Sequence, residues 1–150
     1  MVETKKRVLD ADVLMPEYKE LLKSGAVLPL TVSGGSMRPF LSPGRDTVYL
    51  RSIDRELRRG DIVFYRRSSG DYVLHRLFRK ENGAYWFVGD AQDEVEGPLP
   101  ESCAFAVAEC VRRKGRKISR GDLLWDFFAG AWLACTGRRR RILKAVSKFR

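Results

Sequence analysis

The sequence predicts a mainly β protein, a coiled antiparallel barrel or sandwich, carrying a short N-terminal helix and two C-terminal helices. Three observations point to the β core. Between residues 27 and 112, short runs rich in Val, Ile, Tyr and Phe recur at regular spacing. Turn-forming clusters separate them: Pro43-Gly44, Arg59-Gly60-Asp61, Ser69-Gly70-Asp71 and Asn82-Gly83. The regular succession of short strands fits a mainly antiparallel sandwich or barrel rather than βαβ units.

The elements follow in order. Residues 10–24 predict an amphipathic helix, because Val13, Leu14, Tyr18, Leu21 and Leu22 fall at helical spacing, Pro16 suits a first turn and Gly25 ends it. From Val27 the period changes to that of strands: Val27–Val32, Thr47–Arg51, Ile62–Arg66, Tyr72–Phe78 and Tyr85–Val88. Cys103–Arg112 alternates Phe105, Val107, Glu109 and Val111 against small residues and reads as another strand, although its alanines leave a helix open. The tail differs in kind. Leu123–Thr136 is bulky and apolar, Gly137 follows, and Arg138–Arg141 lead into a helical pattern over Ile142–Phe149, so two helices hinged at Gly137 are expected. The chain thus divides into an N-terminal helical segment (1–26), a β domain (27–118) and a basic helical tail (119–150).

Composition narrows the class. A length of 150 residues with 44% hydrophobic content supports one packed domain and excludes wholesale disorder. No apolar run reaches the roughly 18 residues that a membrane-spanning helix needs. The amino end carries positive charge without an apolar stretch behind it, unlike a secretory signal peptide. Three cysteines, none in a CxxC pair, fit a reducing compartment and argue against a disulfide framework or thiolate metal site. His75 is the single histidine, which excludes two-imidazole zinc motifs; no cofactor or metal is expected. The net charge of +10 is uneven: residues 1–110 hold 16 Lys/Arg against 17 Asp/Glu, whereas residues 111–150 hold 13 Lys/Arg against only Asp122 and Asp126. The whole excess lies in the last 40 residues, so the β region does not read as a nucleic-acid-binding surface, and no nucleic-acid partner is expected.

Three places bear chemistry. Ser36 stands in Ser33-Gly34-Gly35-Ser36-Met37-Arg38-Pro39, where glycines allow a tight turn and an exposed hydroxyl. Neither GxSxG nor SxxK fits, because Arg38 and Pro39 occupy the diagnostic positions. Read alone, this is a turn serine. His75 lies on the strand face shared by Val73 and Leu77, which suits either a core histidine or an imidazole tuned by partial burial to act as a base. The acidic cluster Asp90, Asp93, Glu94 and Glu96 reads as a solvated loop and lacks the ligand spacing of a calcium loop.

Together, Ser33-Gly34-Gly35-Ser36-Met37-Arg38-Pro39-Phe40-Leu41, Arg59-Gly60-Asp61-Ile62-Val63-Phe64-Tyr65, Val73-Leu74-His75-Arg76-Leu77 and Val88-Gly89-Asp90-Ala91 resemble the boxes of the type I signal peptidase family. The resemblance covers roughly residues 27–112. With His in place of the commoner bacterial Lys, it is similar to the Ser-His branch, and within it to small bacterial members of the S24/S26 peptidase superfamily without a membrane anchor. It implies a serine endopeptidase that cleaves a leader or signal peptide, with Ser36 as nucleophile and His75 as general base. Asp90 would match the family's Gly-Asp box. The second family acid falls at Glu96, a departure from aspartate, so Asp90, Glu96 and Asp93 are all candidates to orient His75. Gly35, Ser33 and Met37 are candidates for the oxyanion and substrate contacts, with Phe40 either lining a pocket or packing in the core; a serine that some members place two residues before the nucleophile is Gly34 here. The resemblance further implies a peptide or precursor-protein substrate paired with a sheet edge.

Two rivals stand beside this reading. Self-cleaving repressors of the same superfamily use a Ser-Lys pair and a DNA-binding domain in front, and this sequence has neither. A catalytically inactive peptide-binding or membrane-docking descendant is kept open by Gly34 and Glu96. The tail fits an interfacial helix on anionic lipid or a helix packed on the β domain, with a basic dock for an acidic peptide or nucleic acid ranked behind both. With no apolar anchor at the amino end, a cytoplasmic place, or a peripheral one at the inner face of the membrane, is expected.

Overall fold

The computed structural model of the protein describes residues 15–148. Residues 15–23 form helix α1; the predicted first residues of that helix, 10–14, lie outside the described residues. Eight strands follow: β1 (Leu28–Thr31), β2 (Thr47–Arg51), β3 (Ile62–Arg66), β4 (Tyr72–Glu81), β5 (Ala84–Val88), β6 (Glu96–Pro100), β7 (Ala104–Arg113) and β8 (Arg116–Ile118). Helices α2 (Leu123–Ala129), α3 (Ala131–Ala134) and α4 (Arg139–Ser147) complete the chain.

The strands make one antiparallel sheet in the order β1-β2-β7-β3-β4-β5-β6, with β8 paired to β7. The sheet is not closed, so of the expected barrel or sandwich the mainly antiparallel β architecture with its flanking helices is present and a closed barrel is not. Its end strands carry Pro29 in β1 and Pro98 and Pro100 in β6. Proline lacks the N–H that a further neighbour would require, which suits it to a sheet edge.

Strand alternation sorts the core onto two faces. On β3, Ile62 and Phe64 join one buried cluster with Val48, Leu50, Phe40 and Met37, while Val63 and Tyr65 join a second with Leu77, Phe87 and Val107. Four of the five β3 residues are therefore buried, as a central strand covered on both sides demands. The predicted strands match to within three residues at each end. β6 is the notable omission: Glu-Gly-Pro-Leu-Pro has no strand-like composition, and the sequence reads its first residue as part of a loop. β8, three residues long, was also not anticipated.

The tail packs onto the β domain. Trp125, Phe128 and Trp132 belong to the same buried cluster as Met15 and Leu22 of α1, so all three predicted segments share one core where they are described. The expected pair of helices is in fact three, because Gly130 interrupts the first and Gly137, at φ +97°, separates α3 from α4. Leu123, 91% exposed, and Phe127 stay in solvent. Among the described residues no helix is long and apolar enough to cross a membrane.

Candidate active site

Ser36 sits in the turn that leaves β1, and three contacts immobilise that turn. Its carbonyl oxygen accepts the Ala91 N–H at 2.9 Å. The backbone at Gly89 comes so close that a Cβ there would lie 2.5 Å from the same oxygen, so only glycine fits. Farther along, Arg113 Nε donates to the Phe40 carbonyl at 2.7 Å. The Gly-Asp-Ala box thus serves as the backrest of the serine turn.

His75 arrives from β4. The β3–β4 hairpin aligns Val63 with His75 and Tyr65 with Val73, so Tyr65 and His75 share a face as diagonal neighbours within reach of a long side chain. His75 Nε2 lies 3.1 Å from Ser36 Oγ. On the other side of the ring, Nδ1 lies 3.0 Å from the Tyr65 hydroxyl. That hydroxyl donates to Glu96 Oε1 at 2.6 Å. Arg67 Nε in turn donates to Glu96, 2.9 Å from Oε2 and 3.1 Å from Oε1. Tyr65 is held by stacking on Phe87, centroids 3.9 Å apart and planes 12° from parallel. Phe87 pairs with Glu96 across β5 and β6, which brings the carboxylate to the hydroxyl.

The candidate acids therefore part company. Glu96 joins the row through Tyr65. Asp90 does not reach it: alternation on β4 turns Arg76 to the face opposite His75, and the fully buried Asp90 follows Arg76, with bonds of 2.8 and 3.1 Å. Arg76 also donates to the Gly60 carbonyl at 2.8 Å and lies over the Phe40 ring. Asp93 instead caps α4, accepting N–H groups of Gly137, Arg139 and Arg140 at 2.9–3.2 Å, an acidic group at a helix N-terminus. Neither Asp90 nor Asp93 orients the imidazole.

The remaining candidates also separate. Met37 and Phe40 are buried in the core, 2% and 0% exposed. Ser33, Gly34 and Gly35 are exposed. Among the described residues the N–H groups of Gly35, Ser36 and Met37 have no hydrogen-bond acceptor, leaving donors free beside the hydroxyl. Also among the described residues, no group of three or more His, Cys, Asp or Glu side chains is placed to hold a metal ion. Tyr65 and Arg67 were not singled out from the sequence. A hairpin centred on Ser69-Gly70 would have pointed to Tyr65, because its register alone puts the tyrosine on the His75 face.

Burial, and then the nearby Arg67 charge, lower the His75 pKa from 6.5 to about 4, against the opposing pull of Glu96. The ring is 2% exposed. At neutral pH it is therefore uncharged, the form a general base needs. Because the folded pKa is the lower one, the unfolded chain takes up the proton first as pH falls. Stability linked to His75 is full above pH 6.5 and declines between 6.5 and about 4, by roughly 3 kcal/mol in all. The single histidine makes this measurable: its imidazole NMR signal is expected to titrate near pH 4, and a midpoint of 6 to 7 would contradict the buried placement.

The molecule is thus an open antiparallel β protein in which a half-buried serine hydroxyl meets a buried imidazole. No family model, no curated protein and no solved structure matches the chain.

Proposed function

We propose that the protein is a serine endopeptidase of the signal-peptidase type, with the corresponding superfamily fold, that cleaves a leader or signal peptide from a precursor. The observation that carries this reading is the 3.1 Å contact between Ser36 Oγ and His75 Nε2. A serine hydroxyl is a poor nucleophile until a base accepts its proton, and hydrogen-bond reach is the first requirement of that base. The resemblance of the four motif boxes supports the same roles.

In the proposed reaction Ser36 Oγ attacks the scissile carbonyl while its proton passes to His75 Nε2. The resulting oxyanion is bound by N–H donors of the 35–37 turn, each worth on the order of 3 kcal/mol to the transition state. The C–N bond then breaks, and the imidazolium returns its proton to the leaving amine. Water, deprotonated by His75, attacks the acyl-serine and regenerates the hydroxyl. The low pKa of His75 keeps it unprotonated down to about pH 4, so the acid limb of kcat/KM is placed near 4.

The proposed substrate-binding place is the outer edge of β1, unpaired with any strand among the described residues and leading into the Ser36 turn. An extended peptide would pair there by fewer main-chain bonds than a full strand gives, because Pro29 offers no N–H. The exposed Leu123 and Phe127, with the exposed cations of α4, support a peripheral place at the inner, anionic face of the membrane, or otherwise a cytoplasmic one. The test is to incubate a pool of unstructured peptides rich in small residues with the protein and read new termini by mass spectrometry. Cleavage dependent on Ser36 supports the proposal; cleavage by a folded Ser36→Ala protein removes it.

A further inference from the structure

We infer that Tyr65 is the positioning residue of this site, fixing His75 as the tautomer protonated on Nδ1, with Glu96 acting through the tyrosine rather than on the imidazole itself. The inference rests on the Ser36–His75 peptidase reading for its catalytic meaning, but its physical content comes from counting protons along one row of atoms.

A phenol has a single hydrogen. At 2.6 Å the Tyr65 hydroxyl donates it to Glu96 Oε1, since a carboxylate oxygen only accepts. Arg67 at 2.9 Å pairs with that carboxylate and uses its own donor on it. The Tyr65 oxygen then presents only lone pairs to His75 Nδ1 at 3.0 Å. That contact is a hydrogen bond only if Nδ1 carries the proton. A neutral imidazole protonated on Nδ1 is bare on Nε2, the nitrogen 3.1 Å from Ser36 Oγ. The opposite assignment would turn the tyrosine proton to Nδ1 and leave two bare oxygens 2.6 Å apart. Every donor in the row thus points from serine toward glutamate, and Arg67 donates to the same carboxylate from the other side of the row's end.

The arrangement has an electrostatic reason. A carboxylate directly on a ring 2% exposed would need to be desolvated. A neutral hydroxyl can be buried at lower cost, and Tyr65 lets Glu96 remain at the rim with its side chain 33% exposed and paired with Arg67. Burial first, then the hydrogen bond to Glu96 and its charge, push the Tyr65 hydroxyl well above its ordinary value, so it keeps its proton. The charged and titratable groups facing the imidazole from the packed elements are Tyr65 of β3, Arg67 after it, Glu96 of β6 and Ser36 of the turn.

The experiment is nitrogen-15 NMR of the single histidine at neutral pH, which reads the tautomer without any substrate. Wild type is expected to show Nδ1 protonated and Nε2 bare. In Glu96→Gln the amide can donate to the tyrosine oxygen, freeing the Tyr65 proton for Nδ1, so the population is expected to move toward the Nε2-protonated form. Tyr65→Phe is expected to lose the preference as well, and Glu96→Gln keeps the test available if that variant fails to fold. Peptide cleavage should fall on the order of 10²- to 10⁴-fold in kcat with KM little changed, the scale seen when a catalytic imidazole is held in the wrong tautomer. An Nε2-protonated wild type, or a tautomer unmoved in both variants, overturns the inference. Failure of the peptidase reading is separate and visible: wild type would carry the Nδ1-protonated ring and cleave nothing.

Discussion

Ser36→Ala is expected to abolish peptide cleavage while leaving the fold intact. Removing the nucleophile or its base from a serine-protease machinery costs on the order of 10⁶ in kcat, and the losses are not additive because the two groups act as a unit. Ser36→Ala, His75→Ala and the double variant should therefore all retain the same trace activity, within about tenfold. Stability should hardly change for Ser36→Ala, since the Ser36 carbonyl bond to Ala91 and the close approach of Gly89 involve backbone only. Cleavage persisting in the folded alanine variant, or a double variant as impaired as the product of the singles, would mean that the two side chains do not work together.

The second large effect is on stability. Asp90→Asn is expected to cost roughly 3–5 kcal/mol and to lower the melting temperature by on the order of 10 °C. Arg76 and Asp90 are both 0% exposed, so removing one charge leaves the other buried without its partner. Burial pushes the Asp90 carboxyl up, and Arg76 and then Arg139 pull it back. An apolar double replacement, Arg76→Met with Asp90→Leu, should recover much of the loss, because no charge then remains unpaired. The His75 NMR signals should be unmoved in the folded Asp90→Asn protein. A shifted His75 titration with unchanged stability would return Asp90 to the role of orienting acid.

The difference between Asp90 and Glu96 marks what a linear reading could reach. Thr47–Arg51 and Ile62–Arg66 were legible to the residue, because alternating β-branched and aromatic side chains between turn clusters leave few alternatives. β6 was not, because Glu-Gly-Pro-Leu-Pro becomes a strand only by pairing with β5. Its Gly97, at φ +151°, also admits the Trp86 ring where a Cβ would clash. Ser36 and His75 were found from the order of their motif boxes. Their contact was an expectation that the geometry now supplies at 3.1 Å.

By itself the sequence determined the class of fold, six of the eight strands, and the serine and histidine that the structure brings within hydrogen-bond distance, since these depend on local periodicity, turns and short motifs. Only the tertiary structure decided that Asp90 neutralises Arg76, that Asp93 caps a helix, that the aromatic tail seals the core, and that a tyrosine ten positions before the histidine stands between it and the glutamate. The reason is physical. Alternation within a strand is written in neighbouring residues, but which side chains meet across strands depends on register and on pairings between distant segments, and those exist only once the sheet has formed.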